Sequence, residues 1–394
     1  MKRRVFVRST LAAAAGVALP GSSLLARYHA VSQDQADLDA ITGDGGQVTL
    51  RGRAVAQLGS RLQGRLLLAR HEGYEEARRI LNPSFDKRPA LIAQVTGTAD
   101  IRAAVEFAAE HSLLLAVKCG GHSFSGKSTC DGGMMIDLSP FRNVRIDPKA
   151  RTARVTGGSL LALLDHESMA YGLVTTMGTV SHTGVGGLVT GGGFGRLARR
   201  FGLAVDNLTE VDVVTADGQL RRANKDENPD LHWGVRGGGG NFGIVTSFQF
   251  QLHPMQRTVV GGDIMFPVAR ARDLLSFYAE FSAEAPDELT MGLVMVQPPG
   301  GAPGMVGFGV CYSGSESEAE RVLAPVRRLG QPLVDGIRAM DYVALQRSGD
   351  TDDPRARAAY LKSGFVPELS PGLASAIVDG FEGHPSRTTI VYYS

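Results

Sequence analysis

One histidine stands in a loop that is otherwise almost free of large side chains. His122 lies in the segment Gly120-Gly121-His122-Ser123, shortly after the apolar run that ends at Lys118. Glycine backbone can approach a ligand closely, and consecutive N–H groups in such a loop can bind an anion. The imidazole could then serve as a metal ligand, a general base or a covalent anchor, or it could be a bystander. The segment therefore predicts a phosphate-binding loop, and the role of its histidine depends on the rest of the chain.

Two further glycine-rich segments follow along the chain. The longer one runs from Gly178 to Gly195 and contains eight glycines among its eighteen residues. The shorter one, Gly237 to Gly240, leads into an apolar run over Ile244 to Leu252. A packed core is not expected from such segments, so a ligand lying close to the backbone is the natural reason for them. Three loops of this kind predict a long, flat ligand with phosphates, such as a dinucleotide.

Metal binding and hydrolysis are the weaker alternatives. The nine histidines, among them His166, His232 and His253, form neither H-x-x-x-H nor H-E-x-x-H, so no metal site is predicted. No G-x-S-x-G turn precedes a helix, which disfavours a serine hydrolase. The three cysteines are Cys119, Cys130 and Cys311, and they contain no C-x-x-C pair. We expect them to be free thiols rather than a disulfide framework.

Hydrophobic periodicity indicates the elements that position these loops. Ala90 to Val95 and Leu113 to Val117 are typical of strands, and they flank a helical pattern over Asp100 to His111. This β-α-β unit places the His122 loop after its second strand. Residues 31–65 lack strong periodicity and are expected to be a spacer or mobile lead-in with some order near its end. Further strands are predicted over Met134 to Leu138, Val144 to Asp147, Ala153 to Thr156, Val211 to Val214, Val259 to Phe266, Thr290 to Val296, Met305 to Cys311 and Thr388 to Tyr393, and further helices over Leu160 to Tyr171, Ala269 to Ala283, Ser317 to Leu329 and Ser370 to Phe381.

Composition and the N-terminus narrow the class of protein. The chain has 394 residues, 43% hydrophobic and 21% charged, with a net charge of +1 and no basic stripe, so no nucleic-acid partner is expected. Arg3 and Arg4 precede an apolar stretch from Leu11 to Leu19 that is too short to span a membrane. This pattern resembles a twin-arginine export signal, with an ordinary secretory signal or a disordered tail as alternatives. We expect residues 1–30 to be the signal and the protein to be exported, either periplasmic or extracellular.

The three glycine segments, with Asp206-Asn207 and the stretch from Gly240 to Val245, occur in an order that resembles a known family. The sequence is similar to FAD-linked oxidoreductases of the PCMH-type, or vanillyl-alcohol-oxidase, fold, in the berberine-bridge-enzyme-like branch and in a bacterial form. The resemblance is strong over Phe85 to Pro254. It implies an α+β fold: a two-part FAD-binding PCMH-type domain and a substrate domain with an antiparallel sheet covered by helices. We assign residues 31–84 to a lead-in and the start of the FAD region, 85–256 to the FAD-binding domain and 257–394 to an incomplete substrate domain.

The resemblance also implies the site. His122 matches the histidine that family members bond covalently to the flavin, and the backbone of Cys119 to Ser123 matches their pyrophosphate loop. Val180 stands where bicovalent members carry cysteine, which implies a single covalent bond. Leu188 replaces a histidine found in some members. The implied cofactor-binding residues are Lys118, Cys119, Gly120, Gly121, His122, Ser123, Gly178, Thr179, His182, Thr183, Gly186, Gly187, Gly191, Gly192, Gly193, Gly243, Ile244 and Val245.

The implied reaction is hydride transfer from a small-molecule substrate to the flavin. The substrate would be an alcohol, sugar or amine, and O2 or another acceptor would then reoxidise the cofactor. The catalytic base is unknown from the sequence. Tyr392 and Tyr393 are weak candidates because one of two neighbours on a strand faces inward, although an ordinary core aromatic is favoured. Family members continue beyond Ser394 with an N-Y motif, so the alternative is a truncated, catalytically impaired flavin-binding protein.

Overall fold

The computed structural model of this chain describes residues 36–298, 302–351, 358–386 and 388–393. The predicted export signal lies outside these residues. Within the described ranges, no helix combines the length and the apolar character needed to span a bilayer.

The helices and strands follow in chain order. The strands are β1 (Leu38–Ile41), β2 (Gln47–Leu50), β3 (Arg65–Leu67), β4 (Leu91–Gln94), β5 (Leu115–Lys118), β6 (Met134–Asp137), β7 (Val144–Asp147), β8 (Thr152–Thr156), β9 (Leu173–Val174), β10 (Leu208–Val214), β11 (Leu220–Asn224), β12 (Ile244–Gln251), β13 (His253–Pro254), β14 (Thr258–Pro267), β15 (Leu289–Val296), β16 (Met305–Tyr312), β17 (Val334–Asp335), β18 (Arg338–Asp341) and β19 (Ile390–Tyr393). The α-helices are α1 (Gly52–Arg61), α2 (Tyr74–Arg78), α3 (Thr98–Glu110), α4 (Leu161–Met169), α5 (Val185–Thr190), α6 (Ala198–Phe201), α7 (Pro229–Val235), α8 (Ala271–Glu284), α9 (Glu316–Arg327), α10 (Tyr342–Arg347) and α11 (Pro371–Glu382).

The β-α-β unit contributes β4 and β5 to a four-stranded sheet in the order β3-β4-β6-β5. Strands β4, β6 and β5 are parallel, and β6 lies between the two strands of the predicted β-α-β unit. All four residues of β6 are buried, as expected for a parallel strand covered on both faces. Helix α3 packs Ile101, Ala104 and Ala108 into the same core as Leu91 and Ile136.

A second sheet has five antiparallel strands in the order β11-β10-β12-β8-β7. Its core includes Phe248 and Phe250 of β12 and Leu161 of α4. Val185 and Val189 of α5 are fully buried in this core. Part of the glycine-rich segment therefore builds a packed helix, and the expectation that such a run cannot contribute to a core was wrong.

The third sheet is antiparallel and has the order β17-β14-β16-β15-β19, with β18 also paired to β14. Leu274 of α8, Val322 of α9 and Val378 of α11 pack with Phe308 of β16 in one core. The predicted antiparallel sheet covered by helices is therefore confirmed.

The lead-in is more ordered than predicted. Strands β1 and β2 form an antiparallel hairpin, and α1 buries Val55 and Leu58. These two side chains are three positions apart, so they lie on one face of the helix and join the core of the four-stranded sheet. The expectation of a spacer was wrong for residues 36–65, because Val55 and Leu58 are the only large apolar side chains of α1 and give little periodic signal.

Helix α10 follows β18 of the third sheet and connects that sheet to α4, which packs beneath the second sheet. It packs against α4. Tyr342, Val343 and Leu345 of α10 share a buried apolar cluster with Met169 and Val174. This packing brings the end of α10 to the loop that begins at Gly178.

Candidate active site

A cavity of about 230 Å³ lies beyond the carboxyl ends of the parallel strands β5 and β6. Ligands of open α/β sheets commonly bind at this edge, where successive loops leave the sheet. The loop after β5 contributes His122, and the loops after β6 and α2 contribute Ser139 and Arg79. The residues that line the cavity are Glu76, Arg79, Ile80, Leu81, Lys118, Cys119, Gly120, His122, Ser139, Arg142, Leu160 and His182.

Backbone contacts fix the Gly120 loop against its neighbours. A Cβ atom on Gly120 would lie 2.4 Å from the amide nitrogen of Gly184, so the first and second glycine segments touch through their backbones. Gly121 has a φ of +72°, a conformation that residues with side chains rarely adopt. Its carbonyl accepts a 2.8 Å hydrogen bond from the Leu81 amide. These two glycines are therefore required by the fold of the loop itself.

Lys118 lies beneath this loop and is only 7% exposed. Its Nζ lies 3.6 Å from Asp137 Oδ2 and donates to the carbonyl of Ala77. Ser139 Oγ lies 2.5 Å from Asp137 Oδ1 and 3.0 Å from the Cys119 carbonyl oxygen, and its one proton is available to either acceptor. The predicted cofactor-binding lysine thus lines the cavity and also neutralises a buried carboxylate that holds two loops together.

His122 and His182 meet inside the cavity. His122 Nε2 lies 2.5 Å from His182 Nδ1, and the ring centroids are 4.6 Å apart. Thr183 Oγ1 lies 3.3 Å from His122 Nδ1. Burial, with a smaller contribution from His182, lowers the pKa of His122 to about 4, while Asp350 acts in the opposite direction. His122 is therefore a neutral imidazole at physiological pH and keeps a lone pair for bonding.

Residues of α10 and the turn after it hold the loop that carries His182. Gln346 donates from Nε2 to the Gly178 carbonyl at 2.8 Å. Asp350 accepts hydrogen bonds from the Ser181 amide at 3.0 Å and from Ser181 Oγ at 2.5 Å. Sequence reasoning missed Gln346 and Asp350, because only tertiary packing brings them to the glycine segment.

Arg79 and Arg142 are two further lining residues that sequence reasoning missed. Both side chains are exposed. Neither guanidinium has a hydrogen bond or a salt bridge to a residue in the described ranges. Neither arginine belongs to a motif, so sequence patterns carried no signal for either of them.

The structure gathers part of the predicted site in one place. Lys118, Cys119, Gly120, His122 and His182 line the cavity. Other predicted positions serve local structure: the Thr179 carbonyl accepts from Arg196 Nη1 at 2.8 Å.

The third glycine segment is built differently. Its short helical turn lies beside α5 and α7. Ile244 and Val245 are buried in two different cores, one beneath each of the first two sheets. Gly243 has a φ of +131°, and a Cβ there would lie 2.4 Å from the Val214 carbonyl. The roles of Gly243, Ile244 and Val245 at the cofactor stay a prediction.

Tyr392 and Tyr393 lie on β19, and neither is among the described residues that line the cavity. Tyr393 packs edge-on against Tyr278 of α8, with ring centroids 5.7 Å apart. Tyr392 is largely exposed and lies over Gly292. The core interpretation that the sequence favoured fits Tyr393.

The chemistry of the cavity suits a dinucleotide cofactor. Two guanidiniums without protein acceptors in the described ranges offer charge-assisted hydrogen bonds to phosphates, and glycine backbone leaves room for a close approach. The half-buried neutral imidazole offers a nucleophile. No three His, Cys, Asp or Glu side chains of the described residues gather into a group that could hold a metal ion. Fold and cavity together define a nucleotide-cofactor-binding α+β protein of two parts.

Comparison with known proteins identifies the cofactor and the family. Residues 89–224 match the FAD binding domain family. The chain is 32% identical to an FAD-linked oxidoreductase of Dictyostelium discoideum, over 81% of this chain and 70% of that protein. It is 31% identical to (R)-6-hydroxynicotine oxidase of Paenarthrobacter nicotinovorans, over 83% of this chain and 77% of that protein. The chain belongs to the FAD-linked oxidoreductases, which confirms the predicted flavin cofactor and enzyme class.

Solved structures agree on the architecture. A chitooligosaccharide oxidase superposes with a TM-score of 0.72 at 26% identity, covering 84% of this chain and 73% of that chain. A berberine-bridge-enzyme-like protein of Physcomitrella patens gives 0.68 at 24% identity, covering 74% of this chain and 63% of that chain, and shares the fold. The predicted fold class and family resemblance are therefore confirmed.

Proposed function

We propose that this oxidoreductase carries FAD bonded covalently to His122 and oxidises a small alcohol, sugar or amine, with O2 as the electron acceptor. Two similar proteins support this substrate class: one is named for the oxidation of a hydroxynicotine and one for the oxidation of a chitooligosaccharide. The bound flavin supplies the hydride-accepting chemistry.

The observation that carries the proposal is the state of His122. Its imidazole lies in the cavity beside His182 and Thr183, and burial keeps it neutral. A neutral imidazole has one nitrogen with a free lone pair, which is the requirement for forming a carbon–nitrogen bond. A protonated histidine in the same place could not act as this nucleophile.

The residues around the cavity have separate tasks in this proposal. Arg79 and Arg142 bind the pyrophosphate through charge-assisted hydrogen bonds, and the Cys119–Ser123 backbone lets it approach. Lys118 keeps Asp137 neutralised beneath that loop. The loop from Gly178 to Thr183, held by Gln346 and Asp350, positions His182 against His122.

Acid denaturation followed by washing tests the covalent bond. The wild-type protein is expected to keep its yellow flavin in the denatured pellet, whereas His122→Ala releases it. His111→Ala, on the surface end of α3, is a matched control that should keep the flavin. Flavin that stays with His122→Ala would show that another residue forms the bond.

Turnover is tested separately from attachment. Hydrogen peroxide release is measured over a panel of small alcohols, oligosaccharides and cyclic amines, with anaerobic bleaching of the flavin as the second readout. Bleaching without peroxide would exclude O2 as the acceptor while keeping the oxidoreductase reaction. A flavin that no compound of the panel bleaches would instead favour the impaired flavin-binding protein.

The proposal extends to export through the twin-arginine route, on the basis of Arg3 and Arg4. Replacement of both by lysine is expected to leave the protein in the cytoplasm with its flavin bound. Export of this double variant at the wild-type level would exclude the twin-arginine route.

A further inference from the structure

Asp350 lies at the end of a row of three side chains that reaches the proposed attachment residue. His122 Nε2 lies 2.5 Å from His182 Nδ1, and His182 Nε2 lies 3.9 Å from Asp350 Oδ1. Nε2 of His182 is buried and has no hydrogen-bond partner among the described residues. A buried donor without a partner is costly, so the carboxylate beside it is significant.

The position of Asp350 is fixed independently of the histidines. The Ser181 amide and hydroxyl both donate to its carboxylate, at 3.0 and 2.5 Å. One side of the carboxylate still accepts, and a movement of about 1 Å brings His182 Nε2 within hydrogen-bond distance. Because Asp350 follows α10, the third sheet supplies a charge to a histidine pair that belongs to the first two.

The row determines which ring nitrogens carry protons. An ionised carboxylate only accepts, so the His182 nitrogen that faces Asp350 carries a proton, and His182 Nδ1 is left as an acceptor. His122 Nε2, in contact with that acceptor, must then be the donor. The remaining lone pair of His122 lies on Nδ1, where the Thr183 hydroxyl at 3.3 Å can donate to it.

We propose that Asp350 is a positioning residue that acts through His182 to hold His122 with its lone pair on Nδ1, and that Nδ1 forms the flavin bond. The inference rests on the covalent attachment proposed above.

The proton and electron balance defines what each residue does. When Nδ1 forms the new bond to the flavin methyl carbon, His122 Nε2 passes its proton to His182 Nδ1, and Asp350 stabilises the resulting imidazolium. Overall, one C–H and one N–H bond break and one C–N bond forms. Dioxygen takes up the two protons and two electrons released, as hydrogen peroxide.

The rate of attachment tests the role of Asp350. Apoprotein produced under riboflavin limitation is mixed with saturating FAD, and acid-stable flavin is followed with time. Asp350→Asn is expected to slow attachment about 100-fold, because His182 then accepts the proton without a carboxylate to stabilise its imidazolium, with reversible FAD binding retained. Asp350→Glu should recover most of the rate. Asp341→Asn, at the opposite end of α10, removes the same charge away from the histidines and should attach flavin at the wild-type rate.

Ser181→Ala separates proton control from simple loop anchoring. This variant removes the hydroxyl bond to Asp350 but keeps the carboxylate, so a much smaller loss of rate is expected than with Asp350→Asn. If the two variants lose rate and reversible FAD affinity to the same extent, Asp350 only anchors the loop and the proposal is wrong. Attachment by Asp350→Asn at the wild-type rate would overturn it as well.

A cofactor-free measurement distinguishes this inference from the proposed function. In ¹⁵N-histidine-labelled apoprotein, His122 should show a protonated Nε2 and an unprotonated Nδ1, and Asp350→Asn should lose this preference. If denaturation releases all flavin from the wild-type protein, the proposed covalent bond is wrong. The assignment of the ring protons is tested by these spectra alone and does not depend on that result. A histidyl-flavin peptide linked through Nε2 would overturn the assignment of Nδ1.

Discussion

Two buried polar networks support the loops that line the cavity, and each contains a buried carboxyl group. Beneath the first loop, Asp137 lies 3.6 Å from the Lys118 ammonium. Beside the second loop, Asp165 faces the neutral Gln346 amide, with 3.3 Å between Oδ2 and Nε2. The Asp137 carboxylate is therefore paired with a cation, whereas the Asp165 carboxyl group is paired with a neutral amide.

The neutral partner of Asp165 determines how the second network responds to pH. Burial raises the pKa of Asp165 to about 7, and the opposing effects of Gln346 and Arg196 are smaller. The second network therefore changes protonation near neutral pH, at the same Gln346 side chain that holds the Gly178 carbonyl. An amide partner leaves a buried carboxyl group able to take up a proton near neutral pH.

Removal of the lysine should give the largest effect. Lys118→Met keeps most of the side-chain volume but leaves Asp137 buried without its cation, and a loss of about 3–5 kcal/mol in the free energy of unfolding is expected. Urea denaturation of the apoprotein measures it. The exposed Lys127→Met is the matched control and should change stability by less than about 0.5 kcal/mol. A loss seen only with FAD bound would mean that Lys118 serves the cofactor rather than the fold.

The contribution of Asp165 to the free energy of unfolding should depend on pH. Because its pKa is raised in the folded chain, the native state holds the Asp165 proton more tightly than the unfolded state does. Asp165 therefore reduces stability progressively as the pH rises towards 7. Asp165→Asn removes this loss and should gain about 2 kcal/mol relative to wild type between pH 5.5 and pH 8. Denaturant midpoints at the two pH values measure the gain, and a pH-independent difference would contradict the assignment.

The contrast also shows what sequence patterns could predict. The loop around His122 and the segment from Gly178 were found because glycine and histidine stand together in one short stretch. Helix α5 was not predicted because the surrounding glycines disfavour a helix. Val185 and Val189 are nevertheless four positions apart, which places both side chains on one helical face. The partners of these loops were missed for a different reason.

Asp165 lies far from Gln346 and Asp350 in the chain, and none of the three belongs to a motif. Gln346 and Asp350 reach the glycine segment only because α10 packs against α4, a contact between two apolar faces that periodicity alone does not pair. Strands β4, β5 and β6 could be predicted one by one, but their order in the sheet could not. The sequence therefore indicates which loops carry chemistry, and tertiary packing decides which charges control them.

Arg142 differs from Lys118, because its guanidinium has no protein acceptor among the described residues. Unlike Lys118, it should contribute little to folding and more to the cofactor. In a His122→Ala background, where FAD binds reversibly, Arg142→Gln should weaken FAD binding about tenfold, the value of one charge-assisted hydrogen bond. Flavin fluorescence titration measures the dissociation constant.

The control for this experiment is Arg145→Gln, an exposed arginine on β7 that does not line the cavity. It should leave FAD affinity and stability unchanged. If Arg142→Gln instead lowers the stability of the apoprotein as Lys118→Met does, Arg142 belongs with the cations that hold the loops. If it lowers FAD affinity alone, the cavity contains two functionally distinct kinds of cation: a buried lysine that the protein neutralises and an exposed arginine that the cofactor neutralises.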